Sequence, residues 1–324
     1  MGLIDRPTDA TMVAFPPGRL GVLLPVDDRA TAALGVAMYT ASKPWVVNAQ
    51  RAAYWAVRLL GTSALPGRRQ TWSPPPDATE WAELVHIWEQ RFGAIDNLAV
   101  YRRRQASRYG VTMIATSASS APVVIKLRHM HDSSLHLEQQ VLELLYRRAP
   151  TTFSAPRPFG HGTVGSWQWS AQSAVFTRPH HPCLHAPGAL FDEIDERLAT
   201  MPGAATSPGH ALQHGDLTPW NLRIDHRGTT WLFDWEGVAP LPPYADRAFF
   251  HATAAALVGA TVDQDLVASV PVSTWDHWIK IVGRRDWDNA QDRILLHDLR
   301  QALSTARADA ARGAGAGEDP PPPT

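Results

Sequence analysis

The chain has one cysteine, no long apolar run and almost no net charge. A lone Cys183 excludes an internal disulfide and suits a reducing compartment such as the cytoplasm. No stretch of 18 apolar residues is present, so no transmembrane helix is predicted, and the Arg- and Asp-bearing start does not read as a signal peptide. With 30 basic and 31 acidic residues the formal charge is −1, so no global field draws the protein to nucleic acid or to a membrane. The segment Arg102–Gly110, where a Gly-rich phosphate loop would be sought, holds a single glycine and no G-x-G-x-x-G. What is present is a hydrophobic content of 44%, enough for a sizeable core over 324 residues, and 13 tryptophans, for which core packing is the default role.

The most informative stretch is Leu212-Gln-His-Gly-Asp-Leu-Thr-Pro-Trp-Asn-Leu-Arg-Ile-Asp225. Asp216 stands five residues before Asn221, in a turn-rich loop that leads into a strand-like run. A second run, Trp231-Leu-Phe, ends in Asp234. Between the runs, His226-Arg-Gly-Thr229 contains a glycine that permits positive φ and closes a hairpin. A hairpin centred near Arg227 and Gly228 places Asn221 opposite Asp234. Two oxygen-bearing side chains at the open end of a hairpin suit Mg²⁺, which takes few protein ligands and completes its octahedron with phosphates and water. A nearby Asp216 able to accept a hydroxyl proton completes the polar parts of a phosphoryl-transfer site. Taken singly, each of these residues is also an ordinary turn former.

His214-Gly-Asp-Leu-Thr-Pro-Trp-Asn221 followed by Leu232-Phe-Asp-Trp-Glu236 resembles the aminoglycoside phosphotransferase and choline kinase family. The resemblance implies an α+β, two-lobed protein-kinase-like fold with a small β-rich N-lobe and a helical C-lobe. It implies Asp216 as catalytic base, Asn221 and Asp234 as metal ligands, and His214 as support for the loop. Pro243-Tyr-Ala-Asp246 resembles a further landmark in which an Asp braces the site and starts a helix; Asp246 is read as an N-cap ahead of Arg247-Ala-Phe-Phe250. A protein kinase is disfavoured by His-Gly-Asp in place of His-Arg-Asp and by the absence of Ala-Pro-Glu after Asp234.

A kinase reading requires a strand lysine and a helix glutamate. Pro122-Val-Val-Ile-Lys126 supplies the first, with three β-branched residues before the lysine. The helix is predicted over 134–148, with Leu135, Val141, Leu142 and Leu145 as its apolar stripe. Glu138 falls on that stripe and needs a buried partner, whereas Glu143 falls on the polar side, within i,i+4 reach of Arg147. Glu138 is therefore the expected partner of Lys126.

The segment Arg102-Arg-Arg-Gln-Ala-Ser-Arg108-Tyr-Gly110, between the strand-like runs 98–101 and 111–114, reads equally as a phosphate-binding loop and as a solvated basic hairpin tip. Gln172–Thr177 reads as a strand leading to the hinge, and the resemblance implies that backbone groups at Phe176 and Thr177 meet adenine. Phe159, Val175 and Phe176 are candidate adenine walls or simple core. His180-His-Pro-Cys183-Leu-His185 matches no zinc spacing, and Asp192-Glu193 with Asp195-Glu196 reads first as an ordinary solvated helix face and second as an acidic patch able to attract a cationic acceptor.

The organisation expected is a partly helical extension over 1–94, with helices at 45–60 and 79–92, an N-lobe over 95–178, a C-lobe over 179–312 and a disordered tail over 313–324. The expected activity is transfer of the ATP γ-phosphoryl group, with Mg²⁺, to a hydroxyl of a small molecule such as an aminoglycoside or other antibiotic, a sugar or an amino alcohol. The alternative from another class is a catalytically inactive nucleotide-binding or scaffold protein of the same fold.

Overall fold

The computed structural model describes residues 10–16, 21–102, 110–132, 134–201, 209–285 and 290–315. The elements run β1 (Ala10–Phe15), β2 (Val22–Pro25), α1 (Arg29–Met38), α2 (Pro44–Leu60), β3 (Arg69–Trp72), α3 (Ala78–Phe92), β4 (Asn97–Arg102), β5 (Gly110–Thr116) and β6 (Val123–His129). Then follow α4 (Ser134–Arg147), β7 (Pro158–Val164), β8 (Trp167–Ser173), β9 (His181–Pro182), α5 (Gly188–Ala199), β10 (Ala211–Gln213), β11 (Leu222–Ile224), β12 (Thr230–Leu232) and β13 (Ala239–Leu241). The chain ends in α6 (Ala245–Val258), α7 (Gln264–Ser269), α8 (Val272–Gly283) and α9 (Ala290–Gly315). The α+β content divides into two compact units, residues 1–182 with 223–236, and residues 183–222 with 237–324.

The first unit is built on an eight-stranded sheet in the order β3-β1-β2-β4-β5-β6-β8-β7. The first 94 residues, set apart by sequence as an extension, thus contribute three strands to the same sheet as the lysine strand. Side chains alternate across each strand. In β2, Leu23 joins the cluster under α3, while Val22 and Leu24 join the cluster under α1 and α2. In β6, Ile125 and Leu127 belong to the α3 cluster, which leaves Lys126 and Arg128 on the opposite face. α3 begins at the Asp77 cap, whose carboxylate accepts from Thr79 and Glu80 N–H, and α2 begins with Pro44 at its first turn. The tryptophans concentrate here. Trp72, Trp81, Trp88 and Trp169 form an edge-to-face chain with centroids 6.0, 5.5 and 6.4 Å apart. Each such pair contributes about 0.5–1.5 kcal/mol beyond its area burial. Phe159 is partly buried, packs against this cluster and lies 6.2 Å from the Phe92 ring.

The same unit holds a three-stranded sheet, β12-β11-β9. The β11–β12 turn is closed by Gly228 N–H to the Asp225 carbonyl at 3.1 Å and Asp225 N–H to the Thr229 carbonyl at 3.0 Å. Gly228 has φ 83°, the left-handed conformation that this tight turn demands. Asp225 also accepts from Arg227 N–H, Thr229 N–H and Trp231 Nε1.

The second unit pairs β10 with β13 and packs α6, α8 and α9 around Phe249, Trp275, Trp278, Leu299 and Leu303. Phe249 stacks on Trp278 at 3.9 Å and 10°, and Trp278 Nε1 donates to the Ala245 carbonyl at 2.7 Å. α9 continues to Gly315, so the first residues of the expected tail are helical; residues 316–324 lie outside the described ones. No helix among the described residues is long and apolar enough to cross a membrane.

Candidate active site

The first unit places Lys126 in a buried charge cluster. Its Nζ lies 2.7 Å from Glu138 Oε1, 2.7 Å from Asp234 Oδ1 and 2.9 Å from Glu236 Oε1. β6 supplies the lysine between β5 and β8, in register with Thr112 and Ser170. α4 supplies Glu138, which is fully buried with Leu135, Val141, Leu142 and Leu145 on the same stripe. Glu143 instead accepts from Gln139 Nε2, and Arg147 Nε donates to the Glu143 carbonyl, so no Glu143–Arg147 side-chain pair forms. Burial alone would lower the Lys126 ammonium; the charges of Asp234, Glu138 and Glu236 reverse that and raise it. Burial pushes the Glu138 carboxyl up, with the Lys126 charge pulling against it.

Two members of the cluster had no role in the sequence reading. Arg128 is fully buried and donates to both carboxylate oxygens of Glu236, from Nη2 at 2.9 Å and Nε at 3.2 Å. Its partner lies 108 positions away, beyond the reach of any local pattern. Glu236 was visible only as part of the Asp-Trp-Glu segment.

Asp234 adopts φ 64°, in the left-handed region that few residues other than glycine enter. Such a backbone costs on the order of 1–3 kcal/mol and persists where surrounding contacts over-determine it. Glu138, Asp234 and Glu236 oxygens lie within 4.8 Å of one another, a grouping able to hold a cation. Glu138 and Glu236 side chains are 0% and 2% exposed and are engaged by Lys126 and Arg128, whereas Asp234 is 35% exposed. Of the three, Asp234 is the one that fits a divalent ion reached from solvent.

The second unit places Asp216 and Asn221 together. Asn221 Nδ2 donates to the Asp216 carbonyl at 2.9 Å and to Asp216 Oδ2 at 3.1 Å. With its nitrogen so engaged, Asn221 has only Oδ1 left to present to a ligand, the hard oxygen donor that Mg²⁺ takes. The loop is held from both sides. His214 Nδ1 accepts from Asp216 N–H at 3.3 Å. Gly215 has φ 76°, and a Cβ there would stand 2.0 Å from the Gly237 carbonyl oxygen, so only glycine fits.

Asp246 is the brace, though not as a cap. Tyr244 occupies the N-cap position of α6, and the Asp246 carboxylate accepts from the backbone N–H of His214 at 2.6 Å and of Gly215 at 2.9 Å. Its own N–H donates to Gln213 Oε1 at 2.8 Å. Burial raises its carboxyl to about 7; the two N–H donors oppose the shift and the Asp195 and Asp216 charges add to it.

Phe176 and Thr177 follow the end of β8 at Ser173 and are not part of a strand. The Phe176 ring stacks on His180 at 3.8 Å and meets Phe233 edge-on at 5.2 Å. The Thr177 carbonyl accepts from Tyr54 of α2 at 3.0 Å. His180 is buried between the Ala37 carbonyl and Arg223 Nε, and Cys183 Sγ faces the His185 carbonyl, so among the described residues this segment forms no metal cluster. Half of the acidic face is paired: Asp192 with Arg247 and Glu193 with Arg197. Residues 103–109 of the basic loop lie outside the described residues.

No family model and no curated protein matches the chain. Solved structures do. One is an amicoumacin kinase in complex with AMP-PNP, Ca²⁺ and Ami, at 10% identity over 64% of this chain and 88% of that one, with a TM-score of 0.39. Another is an aminoglycoside phosphotransferase from Streptomyces rimosus, at 15% identity over 69% and 98%, TM-score 0.38. A third is a putative fructosamine-3-kinase from Haemophilus somnus, at 10% identity over 70% and 97%, TM-score 0.40. The likeness is one of fold, and what each of those proteins binds is a property of that protein.

Proposed function

We propose that this chain is a small-molecule kinase that moves the γ-phosphoryl group of ATP to a hydroxyl. The observation that carries the reading is the position of Lys126 Nζ, 2.7 Å from the helix carboxylate of Glu138 and 2.7 Å from Asp234. A strand lysine fixed by a helix carboxylate is the arrangement that phosphate-handling lysines need, since an unfixed ammonium would lose its bearing in a dry site. The Asp216–Asn221 loop supports it, with a carboxylate oriented by an amide and braced from below.

In this reading the acceptor oxygen attacks the γ-phosphorus in line, the β–γ bridging P–O bond breaks and ADP leaves. Asp216 orients the acceptor and takes its proton. Lys126, held by Glu138, contacts the α- and β-phosphates. Asn221 and Asp234 would hold Mg²⁺, which supplies charge compensation on the phosphate oxygens when bound. Backbone groups at Phe176 and Thr177 would face the adenine; one lone pair of the Thr177 carbonyl is engaged by Tyr54 and one remains. Catalysis is then mostly positioning and charge placement.

The test is Asp216→Ala. We expect turnover to fall by roughly 10²–10⁴-fold, the usual worth of a positioned proton acceptor, while the thermal shift given by ATP with Mg²⁺ is kept. Equal loss of both would count against a base role. The direct Lys126–Asp234 contact favours a second reading, in which the metal-type carboxylate is held by the lysine and the chain is a non-catalytic nucleotide-binding or scaffold protein. Stabilisation by ATP without ADP release over a panel of hydroxylated acceptors would select it.

A further inference from the structure

Arg285 follows α8, and its place is fixed from several directions. Arg300 of α9 donates from Nη2 to the carbonyls of Val282, Gly283 and Arg285, at 3.3, 3.2 and 3.2 Å. The guanidinium lies 5.3 Å from the Phe249 ring centroid, and Phe249 is itself stacked on Trp278. Phe249 belongs to α6, the helix whose Asp246 holds the His214-Gly215 backbone. Arg285 and the catalytic loop are therefore referred to one rigid element. The outcome is Arg285 Nη2 at 3.6 Å from Asp216 Oδ1, with side chains 22% and 31% exposed.

A distance of 3.6 Å is a charge contact, longer than the 2.7–2.9 Å of a charge-assisted hydrogen bond. The guanidinium is therefore not locked in a fork on Asp216, and it is within reach of solvent. Its planar fork suits a carboxylate or a phosphate. A polycationic acceptor would have to bring an ammonium group beside a fixed like charge. On the acidic face that might have drawn such an acceptor, two of the four carboxylates are paired, Asp192 with Arg247 and Glu193 with Arg197.

We propose that Arg285 determines acceptor specificity: the hydroxyl that is phosphorylated belongs to an anionic molecule, with a carboxylate or phosphate group a few bonds from the attacking oxygen. The proposal rests on Asp216 as the base of the reading above. Arg285 takes no part in bond making; the oxygen attacks the γ-phosphorus, its proton goes to Asp216, and Arg285 holds the acceptor's negative group.

The test uses the full chain with ATP and Mg²⁺ and four three-carbon probes: glycerate, glycerol 3-phosphate, glycerol and 3-amino-1,2-propanediol. Binding is read by calorimetry and transfer by ADP release. We expect glycerate or glycerol 3-phosphate to bind about tenfold tighter than glycerol, the worth of about one charge-assisted contact, with the amine weakest. The stronger of the two anions identifies the group that is read. Arg285→Met should bring the four probes within about twofold of each other, and Arg285→Lys should restore part of the preference, which a purely structural role would not do. Circular dichroism and a melting curve check that each variant is folded. The proposal is overturned if the amine binds as well as the anions, if no probe is preferred, or if Arg285→Met leaves the ranking unchanged. Anion preference without ADP release from any acceptor would sink the kinase reading and leave the anion-selective arginine standing.

Discussion

Replacing Arg128 by Met tests whether the first unit depends on a dry ion pair. All five N–H donors of Arg128 are used: Nη1 to the Val111 and Leu127 carbonyls at 2.7 and 2.9 Å, Nη2 to Thr112 Oγ1 and Glu236 Oε1 at 3.1 and 2.9 Å, and Nε to Glu236 Oε2 at 3.2 Å. Arg128 and Glu236 side chains are 0% and 2% exposed. Removing one partner of a buried pair costs about 3–5 kcal/mol, because the other charge stays behind in a dry place. Lys126 at 2.9 Å and Ser134 Oγ at 3.2 Å remain on Glu236 and put the expected loss at the lower end, about 3 kcal/mol. Urea unfolding followed by tryptophan fluorescence reads it. With a slope of roughly 2–3 kcal/mol/M, the midpoint should fall by about 1 M or slightly more. The double variant Arg128→Met with Glu236→Leu removes both charges, so its cost should fall short of the sum of the two single costs by at least about 1 kcal/mol. Strict additivity, or an Arg128→Met loss within about 1 kcal/mol, would refute the reasoning.

Two further outcomes concern the loop that carries Asp216. Gly215→Ala places a Cβ 2.0 Å from the Gly237 carbonyl oxygen at φ 76°, and should cost more than about 2 kcal/mol in the same unfolding assay; a neutral result would show that the loop shifts freely. Asp246, raised to about 7 in the folded chain against 3.8 ordinarily, binds its proton more tightly when folded. Its contribution to stability is therefore fully present below pH 4 and is lost as pH rises through about 7. Melting curves of the wild type and Asp246→Asn from pH 4 to 8 should differ in slope by up to one proton over that window, and parallel curves would contradict the raised carboxyl.

Much of the local structure was legible. α2, α3 and α4 fall within a residue of their expected bounds, because apolar stripes and the Asp77 and Pro44 starts are written in consecutive residues. The choice of Glu138 over Glu143 also followed from one helical stripe, and Lys126 Nζ lies 2.7 Å from it. What stayed hidden depends on distant pairing. β1 to β3 are strands of four to six residues whose place in the sheet is set by partners such as Tyr101 opposite Val22, far along the chain. The bond from Tyr54 to Thr177 spans 123 positions, and no periodicity signals it. Asp246 has the composition and place of a helix cap, yet its acceptors serve another segment 31 and 32 residues earlier.

The two arginines show why burial and pairing, more than residue type, decide what a charge does here. Arg128 is dry and has no N–H left to offer, so any ligand competing for it would have to displace one of five existing hydrogen bonds. Arg285 is partly wet, rests on a ring face, and meets Asp216 only at 3.6 Å. An anion approaching it gains a fork of donors while the Phe249 platform stays in place, because the cation–π contact uses the guanidinium face and the hydrogen bonds use its edge. The sequence offers two arginines among many. The difference in their remaining hydrogen-bonding capacity makes one a strut and the other a recognition element.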